Sequence, residues 1–244
     1  MLAFLPIHAA GLYDTEEAGE KLSDYVVSSY TPTLTAILEL SDPVVQQDFQ
    51  VLTVAQASAP GAQPIPKTED EVKIVQGLTA GARRVDLTGK DATVQYVKEA
   101  MMKSNWIHLA CHGQQNTADP MSSGFLLHDR TLKLSEIVKM SLPKADFAFL
   151  SACQTAMGDE KVAEESVHLA AGMLLSGCRG VIATTWSIRD DDAPTIAQEV
   201  YSRMFKGGKP NRKEAAYALH EAVKVLRESG ARYVSWVPFI HIGR

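Results

Sequence analysis

Two residues in this chain have the types that nucleophilic catalysis needs. His112 and Cys153 stand 41 residues apart, each two residues past a short apolar run: Trp106–Ala110 for the imidazole, Asp146–Ser151 for the thiol. A thiol titrates near about 8.5, so it is mostly protonated at neutral pH, and a neighbouring imidazole supplies the base or the stabilising cation that makes it a nucleophile. Gly113 follows His112 directly and fits a tight turn. Its N–H, with that of Cys153, would make an oxyanion hole for a carbonyl under attack. Spacing alone leaves a plainer reading open, in which Cys153 is a small buried hydrophobe and His112 a turn residue.

The chemical reading requires both residues at one edge of one sheet. Short apolar runs at Trp106–Ala110, Asp146–Ser151 and Gly180–Thr184 are each followed by polar turn chemistry, and Phe49–Ala55 and Arg83–Leu87 are further strand candidates. Between them lie helical periods: Asp91–Met102, Glu164–Leu175, Asp192–Met204 and Arg212–Glu228, with Thr33–Leu40 as a short one. Thr68-Glu69-Asp70-Glu71 reads as a capping box opening a helix to about Leu78. Asp24–Tyr30 and Trp236–Ile242 have strand-like composition. Gly124–Leu127 and Thr131–Leu134 flank His128-Asp129-Arg130 as a β-hairpin outside the main sheet. Alternating strands and helices predict an α/β domain with a mainly parallel sheet covered on both faces. In such sheets functional groups gather beyond the carboxyl ends of the strands.

Composition narrows the classes. The chain has 244 residues, 45% apolar and 22% charged, with a net charge of −5 and no dense basic stripe, which argues against nucleic acid. No apolar stretch approaches bilayer length, so no membrane partner is expected. Three cysteines, Cys111, Cys153 and Cys178, fit a reducing, cytoplasmic setting better than a disulfide framework. No Gly-x-Gly-x-x-Gly, Walker loop or Gly-x-Ser-x-Gly elbow is present. His108, Cys111 and His112 are close in sequence, but no second ligand pair stands at zinc spacing, so no metal is expected.

His108-Leu-Ala-Cys-His112-Gly113 and Leu150-Ser-Ala-Cys153-Gln-Thr155 resemble the two signature strings of the CHAT domain, a caspase-like family named for its association with TPR repeats. Leu5-Pro-Ile-His-Ala-Ala-Gly11, Ser29-Tyr-Thr-Pro32, Ser123-Gly-Phe125, Thr185-Trp-Ser-Ile188 and Trp236-Val-Pro-Phe-Ile240 resemble further family segments in the same order. The resemblance implies a caspase/separase-type fold with His112 as base or proton donor, Cys153 as nucleophile, a protein or peptide substrate and no cofactor. It also implies fused or partner TPR or sensor domains. Family members carry another strand before the Leu-Pro segment, so residues 1–244 are expected to be one CHAT domain of a longer protein, lacking its N-terminal strand.

Asp190-Asp191-Asp192 has two readings. Acids here would cap the following helix. Separases resemble this stretch and hold a basic side chain with an acid after a similar Trp segment, which would place Asp190 and Asp192 in a substrate pocket. The leading expectation is therefore a cysteine endopeptidase acting in regulated proteolysis or signalling. The alternative is an inactive CHAT-type signalling or scaffold module that keeps the fold for protein contacts.

Overall fold

A computed structural model describes residues 5–15, 17–31, 48–114, 116, 118–154 and 165–243; the side chains of residues 153, 154 and 165–168 are outside that description. The helix expected over Thr33–Leu40 lies outside the described residues.

Among the described residues the strands are β1 Gln50–Ala55, β2 Arg83–Thr88, β3 Trp106–Gln114, β4 Gly124–Leu126, β5 Thr131–Lys133, β6 Phe147–Gln154, β7 Gly180–Thr184 and β8 Phe239–Gly243. They form one sheet in the order β2-β1-β3-β6-β7-β8, with the β4–β5 hairpin attached to β3. The first five strands of that path run parallel, and β8 closes it antiparallel to β7. This is the α/β, mainly parallel architecture the alternation predicts.

Helices cover both faces. One is packed by α2 Val94–Met101, α3 Leu134–Ile137 and α4 Glu165–Leu175, the other by α1 Lys67–Leu78, α5 Ala193–Met204 and α6 Ala215–Glu228. Because side chains alternate across a strand, β3 sends Ile107, Leu109 and Cys111 into the first core and Trp106 into the second. In β6, Ala148, Leu150 and Ala152 face the first core, and Phe147 and Phe149 the second. The short helix α7, Tyr233–Trp236, precedes β8, so only the second half of the expected Trp236–Ile242 strand forms.

Four expectations need correction. Asp24–Tyr30 is not a strand: Leu22–Asp24 is a 3-10 turn and only Tyr30 bridges to Ile242. The hairpin is not outside the sheet, because β4 pairs antiparallel with His112, Gly113 and Gln114. That pairing takes over on β3 where the β1 register ends at Ala110, and so it extends β3 past the apolar run. Gly113 is accordingly strand, not turn. Its φ is not in the left-handed region, and a Cβ there would meet the Ala152 Cβ at an ordinary 3.6 Å. Finally, the Thr68–Glu71 capping box does not form. The helix begins at Lys67, the Thr68 hydroxyl donates to the Ile65 carbonyl, and Glu71 turns into the core.

Candidate active site

β3 and β6 pair in parallel through eight register positions, and one of these joins His112 to Cys153. Direct partners in a parallel pair share a face of the sheet. Here it is the face of α1, α5 and α6, opposite the one that takes Cys111. His112 lies two residues, and Cys153 one residue, before the carboxyl end of its strand. The backbone thus brings together the two residues that sequence reasoning selected. It places them inside the strands rather than two residues beyond them.

His112 is 2% exposed. Its Nε2 lies 2.6 Å from the carbonyl oxygen of Gln63. A carbonyl only accepts, so Nε2 carries the hydrogen, and in the neutral ring Nδ1 is the basic nitrogen. Residues 58–66, the proline-rich loop between β1 and α1, therefore fix the tautomer of the imidazole. Sequence inspection does not reveal this contact, because a backbone carbonyl has no residue-type signature.

The Asp190–Asp192 triplet divides its roles. Asp190 does not cap its own helix. Its Oδ2 accepts the backbone N–H of Lys67 at 3.0 Å, capping α1 from 123 residues away. Asp191 sits 3.7 Å from Arg189 as an exposed pair. Asp192 occupies the N-cap position of α5 without a side-chain cap bond, and its buried Oδ2 has no hydrogen-bond partner among the described residues. An unsatisfied buried carboxylate oxygen is costly and calls for a cationic or donor partner. Of the two pocket candidates, Asp190 is engaged by the Lys67 N–H, and Asp192 keeps a solvent-shielded Oδ2 without a hydrogen-bond partner among the described residues.

The remaining cysteines are structural. Cys111 and Cys178 are fully buried, and burial pushes the Cys178 thiol up to about 12. His108 is buried between Glu71 and Tyr201. Among the described residues no cluster of three potential metal ligands occurs, and no helix is long and apolar enough to cross a membrane.

Comparison with known proteins follows the same line. The family profile described as CHAT domain matches residues 1–244. No curated protein sequence matches the chain. Among solved structures it resembles the Arg specific cysteine proteinase gingipain R, with a TM-score of 0.51 and 13% identity over 80% of this chain and 46% of that one. It also resembles a structure of Porphyromonas gingivalis RgpB pro- and mature domains, with a TM-score of 0.52 and 11% identity over 80% of this chain and 47% of the other. A third likeness is to the Saccharomyces cerevisiae separase–securin complex, with a TM-score of 0.54 and 17% identity over 81% of this chain and 12% of that one. The chain thus spans under half of these proteins, and at such identities the likeness is one of fold, the caspase-like fold of both proteases.

Proposed function

Since the chain belongs to the CHAT domain family, we propose that it is a cysteine endopeptidase with a His112–Cys153 dyad, cleaving protein or peptide substrates after a basic residue. The observation that carries this reading is the direct pairing of His112 with Cys153 at the carboxyl ends of adjacent parallel strands. The Gln63 carbonyl on Nε2 supports it, because it leaves Nδ1 as the base.

In this mechanism the Cys153 thiol gives its proton to His112 Nδ1, and the thiolate attacks the scissile carbonyl carbon. The resulting imidazolium is stabilised by the Gln63 carbonyl, which accepts Nε2–H in both charge states. The oxyanion rests on backbone N–H groups at Gly113 and Cys153. Nδ1–H then protonates the leaving amine as the carbon–nitrogen bond breaks, leaving a thioester on Cys153. Water, deprotonated by Nδ1, hydrolyses that thioester and restores the thiol. No cofactor enters any step.

Asp192 is the residue we assign to the basic side chain of the substrate, on the strength of its orphaned Oδ2. The Arg specificity in the printed name of gingipain R belongs to the same chemical class. Cleavage profiling on a peptide library with wild type, Cys153→Ala and Asp192→Asn tests both assignments. Cleavage after Arg or Lys that disappears in Cys153→Ala and loses its preference in Asp192→Asn is the expected result. Undiminished cleavage by Cys153→Ala would remove the dyad. Regulated proteolysis and TPR-containing partners remain part of the proposal through family membership.

A further inference from the structure

Helix α1 buries the stripe Thr68, Glu71, Val72 and Val75 against the sheet. A carboxylate therefore occupies a core position, and Glu71 is only 1% exposed. Burying a carboxylate is strongly unfavourable unless it is paired and hydrogen-bonded. Glu71 finds its partners on two adjacent strands. Its Oε2 accepts the Ser151 hydroxyl of β6 at 2.9 Å, and its Oε1 lies 3.2 Å from His108 Nε2 of β3. The second contact is not aligned as a hydrogen bond. On the far side of the ring, His108 Nδ1 is 3.2 Å from the Tyr201 hydroxyl, and the imidazole stacks on Phe149 with centroids 5.0 Å apart. Burial and the Glu71 charge push the Tyr201 hydroxyl well above its usual range, so it stays neutral.

The placement of this cluster matters more than its strength. Ser151 is two residues before Cys153 in β6, and His108 is four before His112 in β3, so by alternation all four positions share one face. Glu71 straddles the two strands in the rows beneath the dyad positions. The same residue seats α1, whose first residue, Lys67, comes four positions after Gln63 and its carbonyl on His112. An apolar pair of similar volume would serve stability as well as or better than two buried polar side chains, so a role in fixing register is the better reason for a carboxylate here.

We propose that Glu71 is a positioning residue for the dyad, one carboxylate that holds β3, β6 and the Gln63 loop in the register that aligns His112 with Cys153. The inference rests on the reading of His112 and Cys153 as that dyad. Three measurements on wild type and the double variant Glu71→Leu/His108→Leu test it: thermal midpoint, kcat and KM on a peptide with a basic P1 residue, and the tautomer of the His112 ring by long-range 1H–15N correlation. The double variant should melt at or above the wild-type temperature. Its kcat should nonetheless fall by about 10²-fold, the usual scale for a misplacement of about 1 Å, with KM nearly unchanged. The single Nε2–H tautomer of His112 should give way to averaged shifts. Glu71→Gln keeps the shape and an acceptor for Ser151, so it should recover most of the kcat.

A folded double variant with full kcat and an unchanged tautomer would overturn the proposal. So would a kcat that falls only with the folded fraction. If wild type cleaves nothing, the dyad reading fails, and the His112 tautomer alone decides the positioning claim. If the double variant does not fold, Ser151→Ala decides: lower kcat at unchanged KM and folded fraction supports the role, and unchanged kcat overturns it.

Discussion

Asp190 accepts the backbone N–H of Lys67 at 3.0 Å, so the loop after β7 is fastened to the first turn of α1. Lys67 follows the loop whose Gln63 carbonyl holds His112 at 2.6 Å. A residue read from sequence as a pocket acid thus stands two links from His112, the proposed base, joined to it through backbone groups.

This relationship predicts different effects for substitutions at Asp190 and Asp192. Asp190→Ala removes a helix cap and should cost about 1 kcal/mol of stability, measured by denaturant unfolding. Its kcat should fall more than its KM changes, with the preference for basic residues intact. Asp192→Asn should do the reverse, leaving stability unharmed while selectivity between basic and neutral peptides collapses. A lost preference in Asp190→Ala with none lost in Asp192→Asn would exchange the two assignments.

Thiol reactivity should be confined to one site. Cys111 and Cys178 are fully buried, and the Cys178 thiol is pushed up to about 12. Iodoacetamide at neutral pH is therefore expected to label the peptide containing Cys153 and to spare the other two, as read by mass spectrometry of a digest. His112→Ala should slow both labelling and turnover, the latter by about 10²- to 10⁴-fold. Labelling spread evenly over three cysteines would contradict the buried assignments.

Acid should unfold this protein through its histidines. Burial, then the nearby Arg212 charge, lowers His241 to about 4, and burial lowers His8 as well. The folded state holds His241 neutral, while the unfolded chain protonates it near about 6.5. Between those values the unfolded state binds more protons, so stability is full above about pH 6.5 and declines as pH falls towards 4. The span corresponds to about 3 kcal/mol for His241. Urea midpoints from pH 7.5 to 4 should show the loss in wild type and a shallower one in His241→Gln. Equal slopes would assign the acid sensitivity elsewhere.

The two glycines beside the site should respond in opposite ways. A Cβ at Gly124 would stand 2.1 Å from the Leu132 carbonyl oxygen in the paired strand β5, whereas one at Gly113 meets only ordinary contacts. Gly124→Ala should cost about 1–3 kcal/mol. It should also lower activity, because β4 is the strand that pairs with His112–Gln114. Gly113→Ala should fold normally and keep its backbone N–H. Denaturant midpoints for the two variants provide the check.

Much of this architecture was legible in residue order. Apolar runs bounded by polar turns gave β1, β3, β6 and β7, and helical periods gave α2, α4, α5 and α6, because burial on one face imprints its period on the sequence. The local strings around His112 and Cys153 identified the pair and the family, and alternation sent Cys111 to the opposite face. Glu71 was not legible: the residue order reads it as part of a capping box, because the Thr-x-x-Glu string has a local explanation, and its burial depends on packing against β3 and β6.

Contacts between backbone groups and distant side chains were not legible. Gln63 acts through a carbonyl that every residue has. Asp190 caps a helix 123 residues away, and Asp129, in the β4–β5 turn, accepts the N–H of Val94 at 2.8 Å to cap α2 in the same fashion. A carboxylate announces that it can accept a hydrogen bond and leaves its partner unnamed. Sequence alone determined which residues have the chemistry and which period buries them. The three-dimensional arrangement decided strand register, the choice of capped helix and the nitrogen of His112 that is basic, because those depend on distances between segments that local residue order does not encode.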